Sequence, residues 1–362
     1  MSLFLNNISL YQFKNYFNQE FSFTERVVGI CGKNGRGKTN LLDAIHYLCF
    51  TKSYFTRQDT LSTQHGHSGF RLEGRVIINN KEEKAVCILR ETGKKEFSIE
   101  DQQYTRFSAH IGRYPCVVIA PDDVQLIIGG SEDRRKFIDT LLSQLDADYL
   151  ANLINYTKIV QQRNSFLRNF NEGFGEKDLS VLDVLDQQLA EKGDKIFEKR
   201  KNFLIEFLPL VKSLYNEIAQ QYEPISLLYE SELLQVEIKL LLARNRQKDL
   251  LIQRTTGGIH KDDLTFVLGE QPFKNIASQG QRKSLLFALK LAEMDVLKKE
   301  KKVTPLLLLD DVFEKLDEER IGNLLMRVGA DNDGQVFITD TNCNRLEAQL
   351  KMLGCPFQLI AL

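Results

Sequence analysis

The stretch VVGICGKNGRGKTNLLDAI, residues 27–45, constrains the fold of this chain more than any other. An apolar segment leads into a glycine-containing turn, and leucines at helical spacing follow that turn. Glycine tolerates positive φ and lets backbone N–H groups approach phosphate oxygens, while the N-terminus of a helix attracts anions. The pattern Gly-x4-Gly-Lys-Thr therefore predicts a strand–loop–helix unit that binds the phosphates of a nucleotide.

The predicted phosphate loop gives each residue type a role. Lys38 is expected to reach the β and γ phosphates of ATP, and the Thr39 hydroxyl is expected to coordinate Mg²⁺. ATP and Mg²⁺ are accordingly the predicted cofactors. The predicted ATP-binding residues are Gly32, Lys33, Asn34, Gly35, Arg36, Gly37, Lys38, Thr39 and Asn40.

A phosphate loop needs a carboxylate at the end of a neighbouring strand to hold Mg²⁺. The segment PLLLLDDVFEKLD supplies one, because four leucines are typical of a strand buried on both faces and Asp310 follows them directly. We expect Asp310 to serve the metal. Asp311, one residue further into the site, is expected to orient or deprotonate the attacking water. Lys38 and Asp311 are therefore the predicted catalytic residues.

A second polar turn that contains glycine precedes the helical segment before this acidic strand. Ser278, Gly280 and Gln281 lie in it, at a helix N-terminus suited to binding a γ-phosphate. One nucleotide cannot readily use two such helix ends from the same copy of the fold. We therefore expect a second subunit to supply this turn, so that ATP is sandwiched within a homodimer.

The spacing of apolar residues changes along the chain. Apolar residues alternate from residue 70 to 99, which predicts an antiparallel meander. From about residue 133 to 222 they step by three or four, which predicts helices, and Pro209 is expected to kink or break the second helical run. We therefore predict an α/β head that is split by a helical arm: residues 1–132 and 226–362 form the two halves of the head, and residues 133–225 form the arm.

Composition limits the remaining function classes. The formal net charge of the 362 residues is −1, so any DNA-binding surface has to be a local patch. The start shows no secretory leader, and no apolar run reaches the roughly 20 residues of a spanning helix, which predicts a cytoplasmic protein without a membrane partner. The cysteines, predicted to be reduced thiols, are Cys31, Cys49, Cys87, Cys116, Cys343 and Cys355.

The order of these motifs resembles the ATP-binding-cassette heads of the SMC group and, more narrowly, the RecF family of bacterial recombination mediators. Further stretches are similar to RecF-type patterns and extend the resemblance over nearly the whole chain. They are LYQFKNY (residues 10–16), PDDVQLIIGGSEDRRKFID (121–139), YTKIVQQRN (156–164), RTTGGIHKDDL (254–264) and SQGQRK (278–283). The chain departs from the family pattern at Ser131, where a proline is usual, and at residues 313–317. Gln125 is the candidate for the Q-loop glutamine.

The resemblance implies an SMC/RecF-like P-loop ATPase head with mixed sheets and an inserted helical arm. It also implies ATP-gated homodimerisation on duplex, gapped or junction DNA, with slow hydrolysis for release. Proteins of this family act with RecO and RecR to load RecA at gaps. Asp311 is one methylene shorter than the usual glutamate, which agrees with a weak, DNA-stimulated ATPase.

Basic clusters are the candidates for DNA contacts. Across a dimer such clusters would line one groove and hold the phosphate backbone without reading the base sequence. The main candidates are Arg134, Arg135, Lys136, Lys199, Arg200 and Lys201, and further ones are Arg244, Arg246, Lys248 and the lysines of residues 298–302.

Two other functions stay open from the sequence. A nucleotide-binding subunit of a membrane transporter would share the loop, the polar turn and the acidic strand. Against it, Thr339, Asp340 and Thr341 stand where transporter ATPases carry a switch histidine, and the helical insertion is large. The second alternative is a non-hydrolysing, SMC-like scaffold whose nucleotide is structural.

Overall fold

The computed structural model describes residues 3–172, 179–219, 223–311 and 333–362. The chain divides into two compact units, the first formed by Met1–Asp123 with Phe287–Leu362 and the second by Val124–Leu286. This division differs from the predicted domains, because residues 226–286 group with the arm helices and not with the second half of the head. Residues 313–317, where the sequence departs from the family pattern, lie outside the described ranges.

Strands and helices occupy both units. In chain order the strands are β1 (Leu3–Phe13), β2 (Tyr16–Ser22), β3 (Val27–Cys31), β4 (Phe70–Ile78), β5 (Lys81–Leu89), β6 (Lys95–Ile99), β7 (Gln102–Gln103), β8 (Cys116–Ile119), β9 (Ile225–Glu230), β10 (Asp263–Leu268), β11 (Gln271–Pro272), β12 (Leu306–Leu309), β13 (Val336–Asp340) and β14 (Phe357–Ala361). The α-helices are α1 (Lys38–Phe50), α2 (Gln125–Ile128), α3 (Ser131–Leu145), α4 (Ala147–Glu172), α5 (Ser180–Ala219), α6 (Ile238–Ile252), α7 (Phe273–Ile276), α8 (Gln279–Lys301) and α9 (Cys343–Met352).

An antiparallel sheet in the first unit confirms the predicted meander. Its described strands run in the order β2-β1-β4-β5-β6-β7, and β4, β5 and β6 pair with their sequence neighbours. Buried and exposed residues alternate along most of β4, as expected for a strand with one face on the core. Its apolar face packs against the helix that follows the phosphate loop, so that Leu48 of α1 contacts Gly74 of β4.

A parallel sheet in the same unit carries the predicted loop and acid. Its described strands run in the order β14-β3-β13-β12-β8, and each neighbouring pair is parallel. Every residue of β3, β8, β12 and β13 is buried, which explains the continuous apolar sequences of β3, β8 and β12. The carboxyl ends of parallel strands share one edge, and ligands bind there in α/β sheets. The loop after β3 and Asp310 after β12 meet at this edge.

The second unit is dominated by helices. The long helices α4 and α5 pack on each other, and β9, β10 and β11 form a small antiparallel sheet in the described part of this unit. The helical insertion is therefore confirmed. Of the kink or break expected at Pro209, the break is wrong, since α5 continues through this residue as one helix of 40 residues, and the kink stays a prediction. Buried side chains on both sides of Pro209, such as Phe207 and Val211, give this stretch a packed face that favours continuation.

The prediction that all the cysteines are reduced is wrong for two of them. Cys31 at the end of β3 and Cys343 at the start of α9 form a disulfide bond, with Cα atoms 5.0 Å apart. Parallel pairing of β3 with β13 brings together positions that are 312 residues apart in sequence, a proximity that spacing does not reveal. The other cysteines are free thiols, namely Cys49, Cys87, Cys116 and Cys355. Among the described helices, none combines the length and the apolar character needed to cross a bilayer.

Candidate nucleotide-binding site

The loop between β3 and α1 has the backbone that its glycines predict. Gly35 and Gly37 have φ of 81° and 109°, values that side chains with a Cβ atom rarely adopt. A Cβ atom on Gly35 would meet no other atom within 4 Å, whereas one on Gly37 would lie 2.6 Å from the Asn15 side chain. The loop is therefore open at Gly35 and tightly packed at Gly37.

Lys38 lies at the start of α1 with only 4 % of its surface exposed. Its Nζ donates to the carbonyl oxygen of Gly32 at 2.9 Å and approaches that of Lys33 at 3.5 Å. The ammonium group thus lies across the loop and bonds to neutral acceptors. Because a carbonyl oxygen is a weaker partner for a cation than a phosphate oxygen, this arrangement leaves Lys38 suited to bind an anion.

The Thr39 hydroxyl and the Asp310 carboxylate meet as predicted from the sequence. Thr39 Oγ1 lies 3.0 Å from each carboxylate oxygen of Asp310. Thr339, the penultimate residue of β13, donates its hydroxyl to Asp310 Oδ1 at 2.9 Å and is fully buried. Asp310 therefore accepts hydrogen bonds from two hydroxyls, that of Thr39 in the first turn of α1 and that of Thr339 near the end of β13.

Burial and charge set the protonation of this carboxyl group. Burial raises the pKa of Asp310, and the neighbouring Asp311 charge adds to the increase. The hydrogen bonds from Thr339 and Thr39 and the charge of Lys38 act in the opposite direction. The net effect is a raised pKa of Asp310. A cation bound at this position would counter that effect and favour the ionised carboxylate.

Asp311 follows Asp310 in a left-handed conformation, with φ of 43°. Its backbone N–H donates to Thr339 Oγ1 at 2.9 Å, so one threonine hydroxyl holds both acidic residues. Such a backbone is unusual for a residue with a side chain and is common at functional sites. Sequence reasoning identified both acids but missed the role of Thr339, which depends on β13 lying between β3 and β12.

The turn between β1 and β2 braces the phosphate loop. Asn15 donates to the Arg36 carbonyl at 3.1 Å and accepts from Asn40 at 2.7 Å, and Tyr16 donates its hydroxyl to the Gly37 carbonyl at 3.1 Å. Lys14 forms an ion pair of 2.5 Å with the buried Asp43 of α1. These contacts explain the LYQFKNY stretch, which sequence analysis identified only by resemblance.

The residues at this edge fit a Mg²⁺–triphosphate group. The open space at Gly35 leaves room beside the loop backbone, and Lys38 supplies a positive charge. A hydroxyl and a carboxylate are hard oxygen donors of the kind that Mg²⁺ prefers. Thr39 and Asp310 are therefore the residues that would hold the metal, and the loop backbone with Lys38 would hold the phosphates.

The predicted γ-phosphate turn lies in the second unit and caps a helix. Ser278 Oγ accepts from the Gln281 N–H at 3.2 Å, and Gln281 Oε1 accepts from the Ser278 N–H at 2.8 Å. This reciprocal pair is a capping box at the start of α8. Ser278 is exposed and Gly280 is half-buried. The role of this turn toward a partner's nucleotide stays a prediction, as does the Q-loop role of Gln125, which is exposed at the start of α2.

The sequence-predicted DNA contacts have different environments. Arg134 and Arg200 are buried and paired with carboxylates, Arg134 with Asp263 at 2.7 Å and Arg200 with Asp139 and Asp262 at 2.7 and 2.9 Å. Both guanidinium groups are neutralised within the protein, which argues against their direct contact with DNA. Lys199 is exposed but pairs with Asp146 at 2.7 Å, Lys136 is exposed and Lys201 is half-buried. Arg135 is half-buried and donates to the Asp262 carbonyl at 2.6 Å.

A phosphate loop on a parallel sheet, a strand-end carboxylate and a helical insertion define a P-loop ATPase head of the RecF/RecN/SMC class. The family model described as RecF/RecN/SMC N terminal domain matches residues 4–358. A solved structure of an Smc head domain from Pyrococcus furiosus shares the fold, with a TM-score of 0.53 at 15 % identity over 96 % of this chain and 92 % of that one.

Within this class the chain belongs to the RecF family. It is 43 % identical to the DNA replication and repair protein RecF of Flavobacterium johnsoniae over 99 % of both chains. A solved structure described as the recombination mediator protein RecF-ATP in the RecFOR pathway matches with a TM-score of 0.86 and 29 % identity, over 94 % of this chain and 92 % of that one. The family resemblance and the fold class inferred from the sequence are thus confirmed.

Proposed function

We propose that this protein is an ATP-dependent DNA-binding protein of recombinational repair. It binds duplex or gapped DNA as an ATP-gated homodimer and assists RecO and RecR in loading RecA at gaps in the cytoplasm. The proposal draws on the names of its relatives, a DNA replication and repair protein and a recombination mediator of the RecFOR pathway. The observation that carries it is the meeting of Lys38, Thr39 and Asp310 at one sheet edge.

The side chains at this edge account for binding and for slow hydrolysis of ATP. Lys38 would exchange its bonds to the two loop carbonyls for bonds to phosphate oxygens, and Thr39 with Asp310 would hold Mg²⁺. The bound metal supplies positive charge that stabilises the charge developing on the phosphates. Asp311 accepts a hydrogen bond from the attacking water, and Thr339 fixes the backbone that carries it. Because Asp311 is shorter than glutamate, it positions water less closely and turnover is weak.

The turn at the start of α8 has a function in the proposed dimer. Ser278 and the exposed N-terminus of α8 offer N–H and hydroxyl donors to the γ-phosphate held by a partner subunit. ATP then joins two copies, and its hydrolysis releases them from DNA. Membership of the RecF family argues against the transporter alternative. The scaffold alternative predicts that assembly and DNA binding survive the loss of hydrolysis.

Light scattering with and without ATP and Mg²⁺ tests the proposal. We expect a particle of 41.7 kDa without nucleotide and one of about twice this mass with it. Ser278→Ala should weaken the ATP-dependent dimer about tenfold, the effect of one lost charge-assisted hydrogen bond. Ser231→Ala is the matched control, since Ser231 also caps a helical turn in the second unit, where it accepts from the Leu233 N–H.

The controls separate the possible failures. A wild-type mass that does not change with ATP would refute gated dimerisation. Equal dimerisation by the Ser278→Ala and Ser231→Ala variants would refute the role of the turn and leave ATP binding at Lys38 intact. Normal assembly and DNA binding by Lys38→Met would favour the scaffold alternative.

A further inference from the structure

The loop that joins α6 to β10, residues 253–262, takes no part in the nucleotide-binding site described above. Buried hydrogen bonds fix its first half. Asp249, at the end of α6, accepts from the Thr256 N–H at 2.9 Å and from the Thr256 hydroxyl at 2.6 Å. Asn164 of α4 accepts in the same way from both the N–H and the hydroxyl of Thr255, at 2.7 and 2.8 Å. The loop therefore has one conformation and presents its exposed side chains at fixed positions.

The second half of this loop is packed against α4. Gly258 has φ of 119°, and a Cβ atom there would lie 2.5 Å from the hydroxyl of Tyr156. That hydroxyl lies 2.9 Å from His260 Nδ1. Arg200 of α5 donates to the Ile259 carbonyl at 2.8 Å. The turn that carries Lys261 is thus attached to both long helices, α4 and α5.

Four cations converge on this rigid turn, and we call them the loop cations: Arg135, Lys248, Arg254 and Lys261. Lys248, Arg254 and Lys261 are exposed, and the guanidinium of Arg135 lies 2.6 Å from the carbonyl of Asp262, next to Lys261 in sequence. The ion pairs between described side chains include none of these four. They therefore differ from Arg134, Arg163 and Arg200 nearby, each of which is neutralised by carboxylates.

The loop cations are close enough to repel one another. Burial lowers the pKa of Lys261, and the charges of Arg254, Arg135 and Lys248 lower it further, while Asp249 opposes them. Glu230, Glu232 and Lys261 line a cleft of about 450 Å³, yet the strongest charge effects on Lys261 come from Arg254 and Arg135. A fixed cluster of like charges costs free energy in the free protein, and a polyanion that binds there removes this cost.

We propose that the loop cations form a binding surface for the phosphate backbone of duplex DNA. The inference rests on the proposed DNA-binding function and assigns it a location. Guanidinium and ammonium groups are the usual protein partners of phosphate oxygens. The cluster contains no aromatic side chain on which an unpaired base would stack, which favours a duplex over single-stranded DNA.

Fluorescence anisotropy of a labelled duplex tests this surface. The double variant Arg254→Gln/Lys261→Gln, measured with ATP from 50 to 200 mM salt, should bind about tenfold more weakly than wild type. The slope of log K against log salt should fall by about two, one for each lost phosphate contact. Lys195→Gln/Lys212→Gln is the matched control, because it removes the same charge from two exposed positions on α5 that are not candidate DNA contacts. This control should change the affinity less than twofold.

Each result of this titration supports or overturns either the proposed surface or the DNA-binding function. If wild type binds duplex and the loop variant binds equally well with an unchanged slope, the surface is refuted and the DNA-binding function stands. If wild type binds no DNA, both are refuted. An equal loss in the control variant, or a loss confined to single-stranded DNA, also overturns the proposal. Melting temperature and ATP affinity, measured without DNA, should match wild type in both variants.

Discussion

Buried cations in the two units have different kinds of partner, backbone carbonyls in one unit and carboxylates in the other. In the first unit, Lys38 is almost fully buried and bonds to two backbone carbonyls of the phosphate loop. In the second unit, Arg163 is fully buried and pairs with Asp186 and Asp249, each at 2.6 Å. A buried charge is costly unless something neutralises it. Arg163 is neutralised by the chain itself, whereas Lys38 is placed to be neutralised by a ligand.

The comparison distinguishes structural cations from binding cations by their partners. Burial alone does not separate them, since Lys38 and Arg200 have 4 % and 2 % of their surface exposed. Arg200 contacts two carboxylates that lie far from it in sequence. The loop cations resemble Lys38 in one respect, because none of them has a carboxylate partner among the described ion pairs. Two substitutions test this distinction and a third tests the hydroxyl that holds the two acidic residues, and they follow from the largest expected effect to the smallest.

Arg163→Met should lower the free energy of unfolding by about 3–5 kcal/mol, because Asp186 and Asp249 would be left buried without their shared partner. Urea denaturation followed by circular dichroism measures this loss. Arg244→Met is the control, since Arg244 is exposed and pairs with the exposed Glu232 at 2.9 Å; its effect should stay below about 1 kcal/mol. Similar losses for the two variants would contradict a structural role that is special to Arg163.

Lys38→Met should reduce ATP turnover about 100-fold, equivalent to about 2.7 kcal/mol of transition-state stabilisation, while the free energy of unfolding changes by less than about 1 kcal/mol. The reason is that Lys38 has no carboxylate partner in the fold and, under the proposed function, is neutralised by ligand phosphates. Steady-state phosphate release and urea denaturation measure the two quantities. Lys94→Met, at an exposed turn of the same unit, should leave both unchanged. A large loss of stability in Lys38→Met would remove the contrast with Arg163.

Thr339→Val should slow ATP hydrolysis about tenfold and change ATP affinity less than threefold. The substitution removes the hydroxyl that holds the Asp310 carboxylate and the Asp311 N–H, and it keeps the shape of the side chain. Single-turnover hydrolysis and nucleotide titration separate the two effects. Thr339→Ser retains the hydroxyl and should recover most of the rate. No recovery would indicate that the methyl packing of Thr339 matters more than its hydrogen bonds.

Local patterns made part of the site predictable. Glycines, Lys38 and Thr39 are contiguous, and their chemistry requires them in that order. Asp310 was predictable because four leucines before it indicate a buried strand whose end faces a ligand crevice. Asn15, Tyr16 and Thr339 were not assigned roles, because each acts on residues that are brought close only by the sheet.

The same limit explains the corrections. Arg134 and Arg200 looked like solvent-exposed basic clusters because their carboxylate partners lie 61 to 129 positions away. Cys31 and Cys343 looked unrelated because their proximity depends on the register of β3 and β13. Helical period indicated the arm correctly, but it could not show that packing carries α5 through Pro209.

The sequence alone determined that this chain has a phosphate loop and an acidic strand end on an α/β head, because the loop, its helix and the strand end are each encoded within a few consecutive residues. The tertiary structure alone decided which charges are neutralised within the protein and which are left for a ligand. That decision depends on contacts between distant segments, and a charged side chain has the same appearance in a sequence whether its partner is an aspartate or a phosphate.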